Sequence, residues 1–243
     1  MVHLYGMPAK TDEILSIGNK FNIPVIENAA DAFGSKYKGL PVGVYGDFGI
    51  ISFNGNKIIT TSGGGALISK KTSLIDKAKY LSNQARKFTP EYYHEDIGYN
   101  YMMSNIVAGI GRAQLEVIEE RVEQRRYNFN VYYDNLSKYD FFDFSHEGVD
   151  SYSNRWLTVL VVNPDNNIGI DRNKIFKALE NNNIESRPAW KPMHLQPIFK
   201  HYPYYGNPIS EYISENGLCL PSGSSLNDQD LDRIIRIIKK TVE

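Results

Sequence analysis

The chain has 243 residues, 42% of them hydrophobic and 12% aromatic, which is the composition of a folded globular protein and not of a disordered or fibrous one. Its 27 Lys and Arg against 28 Asp and Glu give a formal net charge of −1, with no basic surplus or cluster to hold a nucleic acid. The single cysteine, Cys219, excludes an internal disulfide, no run reaches the ~20 apolar residues of a membrane helix, and the first residues lack the pattern of a signal peptide, so a cytoplasmic protein is expected.

Residues 2–4 read as a short strand. Thr11–Phe21 reads as a helix with Thr11 as its N-cap and with Asp12 and Glu13 in the first turn, where negative charge suits the helix dipole. The apolar runs at 24–27, 48–53 and 66–69 read as strands, the first of them covered on both faces. Strands alternating with helices predict an α/β layer with a largely parallel sheet. A sheet that begins at residue 2 and holds so few strands reads as incomplete.

A helix follows over 73–84, and then an irregular Tyr-rich stretch to Tyr101. Ser104 opens a helical pattern that continues to Leu136, about 30 residues or roughly 45 Å of helix. Small residues near its start, Ala108, Gly109 and Gly111, suit close approach of another backbone. Beyond Tyr139 the pattern becomes α+β. Residues 155–163 form the best strand of the sequence, and Asp171 caps a helix to about Asn182. Strands follow at 184–187 and 218–220. Asn227 or Asp228 then caps a last helix with Leu231, Ile234, Ile235 and Ile238 on one side. The expected division is a first domain over 1–138 and a small α+β domain over 139–243.

Lys57 is the residue most able to carry chemistry. It follows a buried-type strand by a short loop, where ligand-binding residues gather in α/β folds. Gly55 and the run Gly63-Gly64-Gly65 let backbone approach a ligand, while Ser52, Asn54, Thr60, Thr61 and Ser62 supply hydroxyl and amide groups. The glycine run lacks the Gly-Lys-Ser/Thr ending of a P-loop. His3, His94, His146 and His201 show no metal-ligand spacing and read as structural, so no metal is expected. Trp190 and most of the 17 tyrosines read as core or interface.

Several ordered motifs carry a family resemblance. They are His3-Leu4-Tyr5-Gly6, Pro24 to Ala30 (Pro-Val-Ile-Glu-Asn-Ala-Ala), Gly46-Asp47-Phe48-Gly49, and Ser52-Phe53-Asn54-Gly55-Asn56-Lys57. Further along stand Gly63 to Leu67, Gly98-Tyr99-Asn100-Tyr101, Arg187-Pro188 with Lys191-Pro192-Met193-His194, and Leu220-Pro221-Ser222. Together, over essentially the whole chain, they resemble the DegT/DnrJ/StrS-type sugar aminotransferases. The variants around Lys57 and His194 are most similar to members that aminate UDP-linked 4-keto-6-deoxy-N-acetylhexosamines.

The resemblance implies the aspartate-aminotransferase-like (type I) fold, here a partial large domain plus a small C-terminal one. It implies pyridoxal 5'-phosphate as cofactor, with Lys57 as the Schiff-base lysine and proton shuttle. Asn28, Asp31, Ser52 and Asn100 match cofactor-binding positions, Asn100 reaching the phosphate of a neighbouring subunit in a homodimer with shared active sites. Arg187, Lys191 and His194 match substrate-binding positions; Arg187 and Lys191 are rivals for the pyrophosphate, and His194 reads equally as a packed or solvated residue. The implied substrates are a nucleotide-linked keto-sugar and glutamate, which leaves as 2-oxoglutarate.

Three departures from the family pattern stand out. Asn28 replaces the Asp that pairs with the cofactor ring nitrogen, and Glu27 is expected on the opposite face of its strand. Asp31, three positions on, matches a position, usually Gln or Glu, that packs near the ring and lends some charge. Met102 replaces an Arg, and the N-terminal segment that precedes the His-Leu-Tyr-Gly strand in the family has no counterpart, which predicts a truncated or split form. Lys57 itself argues against a sugar 3-dehydratase, which has His there. A non-catalytic fragment and a cofactor-free sugar-binding module are the other readings.

Overall fold

The computed structural model describes residues 1–166 and 168–243. In chain order the first elements are α1 (Thr11–Phe21), β1 (Ile26–Asn28), the short strands β2 (Lys36–Tyr37) and β3 (Leu40–Pro41), β4 (Phe48–Ser52), β5 (Gly65–Ile68) and α2 (Thr72–Ser82). Next come α3 (Asn105–Leu115), α4 (Ile118–Leu136), β6 (Phe142–Phe144), β7 (Ser151–Tyr152) and β8 (Thr158–Val162). The remainder holds α5 (Arg172–Glu180), β9 (Arg187–Pro188), α6 (Ile209–Asn216), β10 (Gly217–Leu220) and α7 (Asp228–Val242). Two compact units result. One comprises Met1–Glu123 with Glu147–Trp156, the other Gln124–His146 with Leu157–Glu243. The division thus falls inside α4 and not near residue 138, and ten residues of the later sequence return to the first unit.

The first unit is built on a three-stranded sheet of order β1-β4-β5. β1 runs parallel to β4, pairing Asn28 with Ile50, but β5 runs antiparallel to β4, pairing Ser52 with Gly65. The sheet is therefore mixed. The chain returns from β4 to β5 through a loop of residues 53–64, without the helix that a parallel crossover commonly uses. Residues 2–4 contribute only one bridge, Val2 to Asn28, because the chain turns into a short 3-10 helix at Leu4–Gly6.

β1 is not covered on both faces. Ile26 is half exposed and Asn28 exposed, while Glu27 between them is fully buried. Buried Glu27 is compensated by its partners: Gly43 and Tyr45 donate backbone N–H groups at 2.7 and 2.5 Å, Gly46 donates a third, and His3 Nε2 lies at 3.2 Å. Burial alone would raise its pKa. The hydrogen bonds from His3, Gly46, Gly43 and Tyr45 outweigh that and hold it below the ordinary carboxylate value. On the other face of the sheet, Ile26, Ile50 and Leu67 are 40–50% exposed.

Thr11 is the first helical residue of α1 and not its cap; Lys10 holds the cap position, and the Thr11 hydroxyl donates to the Ala9 carbonyl. The helical pattern of 104–136 is divided. A tight bond from Val117 N–H to the Gln114 carbonyl ends α3, and α4 restarts at Ile118.

The second unit has a four-stranded antiparallel sheet of order β6-β8-β10-β9. The strand expected over 155–163 is shortened at its start, because Arg155 adopts a left-handed φ of 50°. Leu231, Ile234, Ile235 and Ile238 of α7 are all buried and pack with Leu160, Leu179 and Leu218. Asp171 caps α5 by accepting from Lys174 N–H, and Asn227 with Asp230 forms a capping box on α7.

Candidate active site

The ends of β1 and β4 position the site. After Asn28, hydrogen bonds from Ala32 N–H to the Ala29 carbonyl and from Ser35 N–H to the Ala32 carbonyl wind the chain into consecutive turns that carry Asp31. After Ser52, the loop that holds Lys57 is closed by bonds from Thr61 N–H to Phe53 and from Lys57 N–H to Asn54. The side chain of Gln114 grips the same loop, accepting from Thr60 N–H and donating to the Thr60 carbonyl.

Lys57 Nζ donates to Asp31 Oδ1 at 2.5 Å, with side-chain exposures of 13% and 9%. A charge-assisted bond of this length, largely shielded from water, fixes the amine in one direction. Nζ also lies 4.3 Å from the centroid of the Trp156 ring, within cation–π range. The Trp156 indole N–H donates to the Asn56 carbonyl at 2.8 Å, tying the loop beside Lys57.

Other residues singled out in the sequence fall as follows. Asn28 ends β1 and its Oδ1 accepts from Ala30 N–H at 3.1 Å. Ser52 ends β4, with its Oγ accepting from Asn54 N–H at 3.3 Å. By the register of β1 on β4, Asn28 and Ser52 lie on the same face of the sheet, opposite Glu27. Asn100 is exposed and bridges to Asn83, and no hydrogen bond among the described residues joins it to Lys57 or Asp31. Met102 is exposed, its sulfur accepting from the Ser82 hydroxyl.

In the second unit Arg187 is exposed and makes two bonds to Glu185, at 2.9 and 2.6 Å. Lys191 is exposed, and Trp190 is 47% exposed. His194 bonds to Glu211 at 3.0 Å and stacks on the Tyr204 ring at 3.7 Å between centroids. Trp156 and Asn154, which stand at the heart of the Lys57 environment, were not apparent in the sequence. Trp156 lies in the 155–163 segment that reads as a strand and Asn154 just before it. Trp156 stands 100 residues from Asn56, whose carbonyl it holds, and no spacing rule links them. Among the described residues no group of three His, Cys, Asp or Glu is placed to hold a metal ion, and no helix is long and apolar enough to cross a membrane.

Comparison with known proteins supplies the lineage. The family described as the DegT/DnrJ/EryC1/StrS aminotransferases matches residues 1–239. EpsN of Bacillus subtilis (strain 168), which carries the name of a pyridoxal phosphate-dependent aminotransferase, is 46% identical over 98% of this chain and 61% of its own length. GDP-perosamine synthase of Escherichia coli O157:H7 is 34% identical over 98% of this chain and 64% of its own. Among solved structures, a DegT DnrJ EryC1 StrS aminotransferase from Brucella abortus superposes with a TM-score of 0.88 at 26% identity, covering 99% of this chain and 63% of that one. The chain thus spans under two thirds of the length of these relatives. Its match to the family profile and its type I aminotransferase fold establish that the chain belongs to the DegT/DnrJ/EryC1/StrS aminotransferase family.

Proposed function

We propose that this protein moves an amino group from glutamate to the keto group of a nucleotide-linked deoxy-sugar, in the synthesis of a surface polysaccharide or glycan. The observation that carries the reading is the Asp31–Lys57 pair, a shielded amine held at 2.5 Å from a carboxylate. Pyridoxal phosphate is the cofactor of the family, and the donor set suits it. An amine, a carboxylate, a carboxamide and a hydroxyl come from the ends of two adjacent parallel strands, and a Cβ at Gly63 would meet nothing within 4 Å.

When bound, the cofactor supplies the electron sink for the carbon that exchanges nitrogen. Lys57 would anchor it through its amine and, when free, would carry the proton between the substrate carbon and the cofactor carbon. Asp31 keeps that amine directed. Asn28 offers the ring nitrogen a hydrogen bond without a charge, and Ser52 and Asn100 hold the phosphate, Asn100 from the neighbouring subunit of a homodimer. In the second unit Arg187, Lys191 and His194 serve the nucleotide-sugar.

The test is transfer of nitrogen from 15N-glutamate to a UDP-linked 4-keto-6-deoxy-N-acetylhexosamine, with the GDP-linked counterpart assayed in parallel. Labelled amino-sugar that disappears in Lys57→Ala supports the proposal; no label with either nucleotide rejects it. Asn28 favours a second reading, a member that keeps the cofactor site and has lost turnover. Cofactor binding without transfer is its signature.

A further inference from the structure

Asn154 is fully buried, and both the amide donors and the oxygen of its carboxamide are engaged. Its Nδ2 donates to the carbonyls of Asp31 and Phe33 at 3.0 and 2.9 Å, and its Oδ1 accepts from Trp156 N–H at 2.9 Å. Its own N–H donates to Ser35 Oγ at 2.8 Å, and that hydroxyl donates to the Gly6 carbonyl. The contact is close. Gly6 has a φ of 90°, and a Cβ there would stand 1.9 Å from Asn154 Oδ1. The bond from Trp156 back to Asn154 makes an Asx turn, with Arg155 left-handed at its centre.

One carboxamide therefore fixes the backbone of both residues that grip the Lys57 amine. Asp31 holds Nζ by charge, and Trp156, only 2% exposed, presents its ring face to Nζ and its N–H to the Asn56 carbonyl. Core packing alone asks for neither of these polar contacts. We infer that Trp156 is a positioning residue for Lys57 and that Asn154 sets Trp156 and Asp31 in common register around it. The inference rests on the reading of Lys57 as the amine that anchors the cofactor.

Two readouts on the 243-residue chain test it, one of them independent of the cofactor. The first is borohydride fixation of pyridoxal phosphate on Lys57, quantified by peptide mass spectrometry. The second is acetylation of Lys57 by acetic anhydride without cofactor, relative to exposed Lys10 in the same sample. Trp156→Leu removes the ring, and fixation is expected to fall on the order of tenfold while acetylation rises about threefold. Trp156→Phe keeps a ring face and is expected to stay within about 1.5-fold of the parent in both. Asn154→Ala should move both readouts as Trp156→Leu does.

Unchanged readouts in Trp156→Leu overturn the inference, and so does an equal change in the Phe and Leu variants, which marks a packing role only. If Trp156→Leu does not fold, Trp156→Met replaces it and the same two ratios decide. Absence of fixation on Lys57 in the parent chain rejects the reading of Lys57 instead, while the acetylation ratios still judge Trp156.

Discussion

Asp31 and Lys57 lie 26 positions apart in the chain, yet Oδ1 and Nζ meet at 2.5 Å. The carboxylate closest to the lysine thus sits three residues beyond Asn28, where the family pattern has its Asp. Charge is present in the site but is directed at the amine.

Loss of this pair is expected to cost stability. Asp31→Asn leaves the Lys57 amine, at 13% exposure, without its charged partner. Removing one member of a buried pair is severe, and the residual solvent access discounts it to about 1–2 kcal/mol. Urea unfolding of the two chains measures the difference, and coincident midpoints refute the expectation.

If residue 28 faces the cofactor ring as proposed, Asn28→Asp is expected to raise turnover by several-fold, because a carboxylate there would keep the ring protonated and strengthen its pull on electrons. Nitrogen transfer per bound cofactor is the quantity to compare. An equal or lower rate in the variant counts against the assignment of Asn28.

Glu27 makes stability depend on acid. Its folded pKa is depressed, since hydrogen bonds from His3, Gly46, Gly43 and Tyr45 outweigh the upward push of burial. The stabilisation is therefore full above the unfolded carboxylate pKa of about 4.3 and is lost as pH falls through the lower folded value. Glu27→Gln should be less stable than the parent at pH 7, and the gap should narrow below about pH 4.5. Urea midpoints at several pH values test this; a gap that stays constant is the contrary result.

In the second unit, Asn227→Ala removes half of the capping box on α7 and is expected to cost about 1 kcal/mol. Ile235→Ala, in the apolar face of the same helix, should cost about 2–5 kcal/mol by leaving a cavity. Thermal or urea unfolding of the pair should rank them in that order.

The second unit was the more legible part of the sequence. The spacing of Leu231, Ile234, Ile235 and Ile238 and the cap at Asn227 are local signals, and all four apolar residues are buried in the structure. Alternation along β1 likewise places Glu27 and Asn28 on opposite faces. What the local pattern lacks is any mark of distant partners. Nothing beside Glu27 announces the three N–H groups of the Gly43–Gly46 turn that allow a carboxylate in the interior. The reversal of β5 depends on the path of a loop, and the break after Leu115 has no Pro beside it. Trp156 illustrates the limit best. Its role comes from an Asx turn and a left-handed Arg155 inside a segment whose residue types favour an unbroken strand.

The most direct test of the account is where pyridoxal phosphate attaches. The 243-residue chain is incubated with the cofactor, treated with borohydride and digested, and each lysine peptide is quantified. One dominant modified residue is expected, Lys57, with the adduct lost in Lys57→Ala and reduced when glutamate is added before the borohydride. Modification spread evenly over exposed lysines such as Lys10 and Lys20, with Lys57 unmodified, would contradict it.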